Sequence, residues 1–208
     1  MLRRSLLTTA VVLIAAGFAA EAPAKGGTDP TAVINNLGDQ LQIVTRTTSP
    51  EQRVAGFRQL FREDFDVPGL GRFVLGRFWR VLSPPEQQEF LGLFENYVVY
   101  TYSDRLSEYA GNGAVPRVTG SRRDPDGVIV SSEVTRWSGR GQTVQPIRVD
   151  WRLTGHDGVY KISDVIIDGL SMAMTGRSEF QGVAERNGGQ PQAILAVMRQ
   201  ETANAVRR

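Results

Sequence analysis

The sequence predicts an α+β protein in which helices come before and after an antiparallel sheet of about four strands. Up to Gly113 the apolar residues recur every three or four positions, which is the spacing of amphipathic helices. From Val115 to Leu170 they alternate with polar residues, and short turns separate the runs. The inner face of such a sheet must be covered, and the preceding helices are the candidates for covering it.

The N-terminal segment has the order of regions that is typical of an export signal. A short basic start precedes an uncharged, mostly apolar run from Leu6 to Ala20, and small-residue cleavage patterns follow it. This run is shorter than the roughly 20 apolar residues that span a bilayer, so a membrane anchor is the less favoured alternative. We therefore predict that residues 1–24 are a cleaved signal peptide and that residues 25–208 form a single domain in the periplasm.

Capping patterns predict where the first helices begin. The N-cap residues are each followed within three positions by proline or glutamate, as helix starts favour: Asp29, Ser49, Asp66 and Ser83. We expect the third helix to reach Trp79 and the fourth to run to Tyr109, where glycines follow.

The fourth helix carries most of the tyrosines of the chain. Its apolar residues form two adjoining stripes, which comprise Phe90, Phe94, Val98, Tyr102, Leu106 and Tyr109 in one and Leu93, Tyr97 and Tyr100 in the other. So wide an apolar surface indicates a helix that is buried on much of its circumference. Core packing is the commoner meaning of this pattern. The alternative is one wall of an apolar cavity, since tyrosine combines an apolar ring with a polar tip.

Period-two alternation and turn residues predict the strands of the sheet. The expected strands are Val115 to Thr119, Val128 to Trp137, the alternating run Ile147, Val149, Trp151 and Leu153, and Tyr160 to Leu170. The expected turns are Arg123 to Gly127, Gly139 to Gly141 and Gly155 to Gly158. After the sheet we expect a short helix capped by Ser178 and a last helix from Ala193 to Arg199.

The composition excludes several kinds of chemistry. The chain has no cysteine and one histidine, so it cannot form a disulfide, a thiol nucleophile or a multi-histidine metal site. Its net charge is +2, and the arginines are spread along the chain rather than clustered as a nucleic-acid binder would have them. Removal of residues 1–24 leaves a net charge of +1. We expect no metal, no cofactor and no nucleic-acid partner.

A few acidic residues and the histidine remain as candidates for catalysis. Asp164 and Asp168 lie four positions apart in a predicted strand and could act as a base in an enzyme. Hydrogen bonding of such residues to the backbone is commoner. The acidic residues around Asp64 and Asp66 lie at a helix end and start, where capping accounts for them. His156 lies in a glycine-flanked turn and is expected to be solvated.

Two ordered blocks of residues resemble the MlaC family, also called the toluene-tolerance family. The first block comprises Asp64-Phe65-Asp66, Val74-Leu75-Gly76-x-x-Trp79 and Ser83-Pro84-x-Glu86-Gln87-x-Glu89-Phe90. The second comprises Tyr160-Lys161-Ile162-x-Asp164-Val165-x-Ile167-x-Gly169-Leu170-Ser171 and Arg177-x-x-Phe180. The resemblance extends from about Pro30 to Met198.

This resemblance implies both a fold and an activity. The fold would be an NTF2-like cone, in which helices cover the concave face of a curved antiparallel sheet. The activity would be that of a lipid carrier without catalysis, which takes phospholipid across the periplasm. Its partners would be an inner-membrane ABC transporter complex and an outer-membrane lipoprotein complex. One branch of the family is associated with hopanoid biosynthesis, so a hopanoid-type ligand or an adaptor role is an alternative, as is an NTF2-like enzyme of the isomerase or dehydratase type.

Periodicity combined with the family's geometry predicts the residues that would line a lipid cavity. On the helices these are Phe73, Phe90, Phe94, Tyr97, Val98 and Tyr102, and on the sheet they are Ile129, Val149, Trp151 and Ile167.

Overall fold

The computed structural model describes residues 28–110, 115–135, 146–156 and 158–206. Within them the chain forms an α+β fold in which helices precede and follow a five-stranded antiparallel sheet. The predicted signal peptide lies outside the described residues. Within the described residues, no helix is long and apolar enough to cross a membrane.

The helices before the sheet begin where the capping residues predict. They are α1 (Pro30–Arg46), α2 (Pro50–Asp64), α3 (Val67–Leu75), a 3-10 helix (Gly76–Arg80) and α4 (Pro84–Ala110). Asp29, Ser49 and Asp66 each accept a hydrogen bond from a backbone N–H in the first turn that follows. The backbone N–H and the hydroxyl of Ser83 both donate to the Glu86 carboxylate, at 2.8 and 2.6 Å, so the predicted N-cap residue of α4 is bonded to its first turn.

The third helix is shorter than the sequence predicts, because it ends at Leu75 instead of Trp79. Gly76 interrupts it with a φ of +57°, a conformation that favours glycine, and the chain continues as the 3-10 helix. A Cβ atom at Gly76 would also lie 3.2 Å from the guanidinium of Arg177.

The sheet has strand order β1-β2-β3-β4-β5, and every neighbouring pair is antiparallel. The strands are β1 (Pro116–Asp124), β2 (Gly127–Val134), β3 (Ile147–His156), β4 (Val159–Ile167) and β5 (Leu170–Ser171). The prediction for the first strand was wrong at its end: β1 continues to Asp124, and the turn to β2 is only Pro125 and Asp126. The predicted turn at Gly139 to Gly141 lies outside the described residues.

The last predicted strand is divided in two by a turn. Asp168 and Gly169 have φ values of +48° and +87°, so β4 ends before them and the two-residue β5 pairs back on it. The following helix, α5 (Met172–Arg186), begins at the N-cap Ser171 and not near Ser178. The last helix, α6 (Gln192–Val206), extends well beyond the predicted end at Arg199.

The buried apolar residues form two clusters. The sheet cluster joins α1 and the end of α2 to one face of the sheet, and comprises Val33, Ile34, Leu37, Leu60, Val130, Val149, Trp151, Leu153 and Ile162. The helical cluster is formed by residues of α2, α3, α4, α5 and α6, and it includes Phe61, Phe90, Phe94 and Phe180. Three partly buried side chains pack against both clusters, namely Leu41, Val44 and Phe65. We call these three residues the seam, and the sheet face that carries Trp151 the inner face.

Candidate functional site

The first half of α4 provides an aromatic wall. Phe90 has no exposed surface, and its ring lies 6.0 Å from that of Phe94 in a stacked arrangement. The ring of Phe180 on α5 contacts Phe90 edge-on at 6.0 Å. It also lies 6.0 Å from the ring of Tyr97. Offset and edge-on arrangements are the favoured contacts of aromatic rings, so the predicted residues on this part of α4 are held in place by α5.

Farther along α4, the wall becomes less buried and reaches α1. Tyr97, Val98 and Tyr102 are partly buried and pack against the helical cluster. Helix α1 contacts both α4 and the sheet, and it contributes Leu41 and Val44 to the seam. The predicted helical wall therefore includes partly buried positions, on a helix that α1 contacts.

The inner face of the sheet provides a second apolar wall. Val149 and Trp151 belong to the sheet cluster, and Ile167 lies opposite Val149 in the register of β3 and β4. The indole N–H of Trp151 donates to the buried hydroxyl oxygen of Ser132 at 2.9 Å. That hydroxyl in turn donates to the carbonyl of Val149 at 3.0 Å. Because these polar groups bond to one another, they present no unsatisfied donor to an apolar neighbour.

Two of the predicted lining residues lie outside both walls. Phe73 on α3 is 40% exposed, with the guanidinium of Arg177 5.2 Å from its ring centroid. Ile129 is buried, but it pairs with Arg152 and therefore lies on the outer face of the sheet. Neighbouring Val130 pairs with Trp151 and faces inward. Successive side chains of a strand point to opposite faces, so the prediction of Ile129 is wrong by one position, and Val130 is the residue on the inner face.

The two aspartates considered for catalysis both hold local structure. Asp164 is buried, and its carboxylate accepts hydrogen bonds from the hydroxyl of Ser171 at 2.6 Å and from the backbone N–H of Ala173 at 3.0 Å. It therefore fixes the start of α5. Asp168 accepts from the backbone N–H of Arg148 at 3.2 Å. Both contacts follow the commoner structural interpretation of such residues.

Sequence reasoning missed the unusual environment of Asp64. Asp66 caps α3 as expected, but Asp64 at the end of α2 is 6% exposed, and its Oδ2 has no hydrogen-bond partner. Burial, reinforced by the charge of Glu63 and opposed by Lys161, raises the pKa of Asp64 from 3.8 to about 6. Its position four residues after buried Leu60 could have indicated that it faces inward.

A groove of about 450 Å³ lies between α2 and α4 and was also not predicted. Its lining residues include Val54, Arg58, Arg62 and Tyr100. Arg58 and Arg62 both bind the carboxylate of Glu95, at 2.7 and 2.9 Å. Burial alone would raise the pKa of Glu95, but the hydrogen bonds from the two arginines hold it below its ordinary value.

These features define a class of protein: an α+β protein in which helices cover the inner face of an antiparallel sheet, with aromatic and branched apolar walls meeting at a seam. The family model described as "MlaC protein" matches residues 32–200. The chain therefore belongs to the MlaC family.

A solved structure gives independent support for the fold. The chain is similar to the phospholipid-binding protein from Ralstonia solanacearum, solved in complex with a phospholipid, with a TM-score of 0.67 and 20% sequence identity. The match covers 86% of this chain and 99% of that protein. The predicted family and the NTF2-like α+β fold are both confirmed by these comparisons.

Proposed function

We propose that this protein is a periplasmic lipid carrier that holds the acyl chains of a phospholipid between α4 and the inner face of the sheet. Membership of the MlaC family supports this function, and so does the likeness to a protein solved with a bound phospholipid. We assign the lining to eight of the predicted residues on the two walls: Phe90, Phe94, Tyr97, Val98 and Tyr102 from α4, and Val149, Trp151 and Ile167 from the sheet.

The observation that carries the proposal is the division of the apolar interior into two clusters. Leu41, Val44 and Phe65 pack against both clusters and are themselves only partly buried. A lipid chain entering along the seam would exchange contacts between these side chains for contacts with its own methylenes. Both walls would keep their internal packing, because the aromatic contacts of α4 and the Trp151–Ser132 hydrogen bond lie within one wall each.

The energetics favour such an exchange. Burial of each methylene group contributes about 0.8 kcal/mol, so even part of one acyl chain supplies a large driving force. The polar head group would remain at the open end of the seam, since burying it without partners is unfavourable. This arrangement requires walls without unsatisfied polar groups, and the satisfied indole of Trp151 meets that requirement on the sheet side.

The carrier role extends to transport between the two membranes. We propose that the chain is exported by its N-terminal segment, and that it exchanges lipid with an inner-membrane ABC transporter complex and an outer-membrane lipoprotein complex. Family membership and the signal-like sequence of residues 1–24 support this role. It is tested by following the transfer of a labelled phospholipid between donor and acceptor vesicles, which the protein should accelerate.

The binding function is tested by uptake of lipid into delipidated protein. Phospholipid and a hopanoid are offered in parallel, and the bound species is identified by mass spectrometry after repurification. We expect phospholipid to bind in a stoichiometric complex. Preferential binding of the hopanoid would change the assigned ligand, and uptake of neither lipid would remove the carrier function.

The enzyme alternative makes a different prediction for Asp164 and Asp168. If either were a base, replacing both with asparagine should abolish function in a folded protein. In the carrier, the double variant should lose lipid binding only as far as it loses stability, because both carboxylates accept structural hydrogen bonds. Lipid uptake and thermal unfolding, measured on the same preparation, distinguish these outcomes.

A further inference from the structure

Exposed apolar side chains lie on the outer side of α3 and α5 and on β5. Phe73 is 40% exposed, Met174 is 52% exposed and Leu170 is 60% exposed. Arg177 links them, because its guanidinium lies over the Phe73 ring and Met174 precedes it by one helical turn on α5. Leu170 immediately precedes the N-cap of α5. Large exposed apolar side chains that cluster on one side of a protein typically mark an interaction site.

The same surface is rich in arginine. Arg72, Arg80 and Arg177 form no ion pair with any of the residues that the structure describes. Arg77 is 3.3 Å from Glu185, but both side chains are largely exposed. We call the surface formed by these four arginines with Phe73, Leu170 and Met174 the α3/α5 face.

The arginines of the α3/α5 face outnumber the acidic residues beside it by one. Glu185 forms an ion pair with Arg77, and Glu179 is exposed on α5. Asp66 is the N-cap of α3, where it accepts from the backbone N–H of Gly69 at 3.0 Å. Against these three carboxylates, the four arginines leave a formal charge of +1 around the exposed apolar side chains.

We propose that the α3/α5 face docks on an anionic lipid bilayer. Guanidinium groups bind phosphate through paired hydrogen bonds, and basic residues near an anionic membrane each contribute attraction. Phenylalanine, leucine and methionine side chains between such residues can insert at the level of the head groups. This combination of unpaired arginine and exposed apolar surface fits the charge and chemistry of an anionic bilayer, and it does not depend on whether the interior binds a phospholipid.

The position of the face also suits a protein that works at membranes. Phe180, on the inner side of α5, contacts Phe90 and Tyr97 of α4. A bilayer bound to the outer side of α3 and α5 would therefore lie one helical layer away from the aromatic wall.

Flotation with vesicles tests the proposal. The full-length mature protein is mixed with vesicles of phosphatidylcholine alone, or with vesicles in which a third of the lipid is phosphatidylglycerol. We expect flotation with the anionic vesicles only, and its weakening as salt is raised. In the Arg72→Ala/Arg80→Ala variant, affinity should fall by about fivefold for each arginine removed. Both arginines are exposed and neither forms an ion pair with the described residues, but Arg72 donates to the carbonyl of Pro68 at 3.2 Å and lies over the Trp79 ring. Thermal unfolding of the variant is therefore measured beside flotation, and Arg80→Ala alone should lose affinity about fivefold.

A second variant tests the apolar part of the face, and a third serves as a matched control. Phe73→Ser/Met174→Ser should lose affinity severalfold. Ile43→Ser/Arg123→Ala removes one apolar side chain that is 70% exposed and one exposed arginine from other parts of the surface. It should float like the wild type.

Three results would overturn the docking proposal: no flotation of the wild type with anionic vesicles, unchanged affinity of the arginine variant, or an equal loss in the control. Binding to a protein partner without vesicle binding falls under the first of these results. The lipid content of each variant is measured by mass spectrometry in parallel. A wild type that floats with anionic vesicles but carries no lipid would count against the carrier function alone, and a lipid-loaded wild type that does not float would count against docking alone.

Discussion

Replacement of Asp64 by asparagine should remove a pH-dependent cost from the folded state. The carboxyl group is 6% exposed, and its Oδ2 lacks a hydrogen-bond partner. Burial raises its pKa from 3.8 to about 6, with a smaller contribution from the charge of Glu63 and an opposing one from Lys161. Between these two pKa values the folded protein holds the proton and the unfolded chain does not. The free energy of unfolding therefore falls as the pH rises through this window.

The size of the effect follows from the two pKa values. Each pKa unit corresponds to about 1.4 kcal/mol, so the difference of Asp64 corresponds to about 3 kcal/mol once the group is ionised in both states. The asparagine side chain of the variant cannot ionise. The free energy of unfolding of the Asp64→Asn variant, relative to the wild type, should therefore increase by about 2 to 3 kcal/mol between pH 4 and pH 7. A constant offset from the buried amide changes the level of this difference but leaves its slope intact.

Urea unfolding followed by circular dichroism at a series of pH values measures this difference. Glu179→Gln, which replaces an exposed carboxylate, controls for the loss of one charge. A difference between Asp64→Asn and wild type that stays constant across the series, or that falls as the pH rises, would refute the reasoning about burial.

Three further predictions concern the two walls and the groove. Val98→Gln should reduce the phospholipid content of the purified protein severalfold. Val183→Gln replaces another partly buried valine of the helical cluster, on α5, and should retain the lipid; equal contents in the two variants would place the ligand elsewhere. Ser132→Ala leaves the buried indole N–H of Trp151 without its acceptor and should lower the free energy of unfolding by about 1 to 3 kcal/mol; no change would mean that the hydrogen bond is dispensable. Glu95→Gln weakens the contacts to two arginines of α2 and should lower stability by about 1 kcal/mol at low salt and by less at high salt; salt-independent destabilisation would contradict an ionic origin.

Local signals in the sequence were sufficient for the starts of the helices that precede the sheet. The capping residues at Asp29, Ser49 and Ser83 act within one turn of the backbone, so their effect does not depend on the rest of the fold. The turn residues between β1 and β2 and between β3 and β4 also act over a few positions, so they indicated where the chain reverses. The start of α5 was missed because Ser171 is its N-cap only once Asp168 and Gly169 have turned the chain.

The site was harder to predict because it depends on tertiary contacts. The sequence around Ile129 and Val130 is apolar at consecutive positions, so its pattern does not decide which side chain faces inward. Pairing with β3 decides it, and sets Ile129 opposite Arg152. The helical spacing of Phe73 predicts that it faces the core, but its ring stacks against Arg177 of α5. The sequence predicted that this helix begins at Ser178, so Arg177 was not expected to lie on it. The burial of Asp64 arises in the same way, from the packing around the end of α2.

The central claim is that the protein holds the acyl chains of a phospholipid between α4 and the inner face of the sheet. Native mass spectrometry of freshly purified protein, combined with extraction and identification of any bound lipid, tests this claim most directly. The proposed function predicts a population whose added mass equals that of an extracted phospholipid, and whose share falls in the Val98→Gln variant but not in Val183→Gln. Protein that is free of lipid, and that takes up no phospholipid after delipidation, would contradict it.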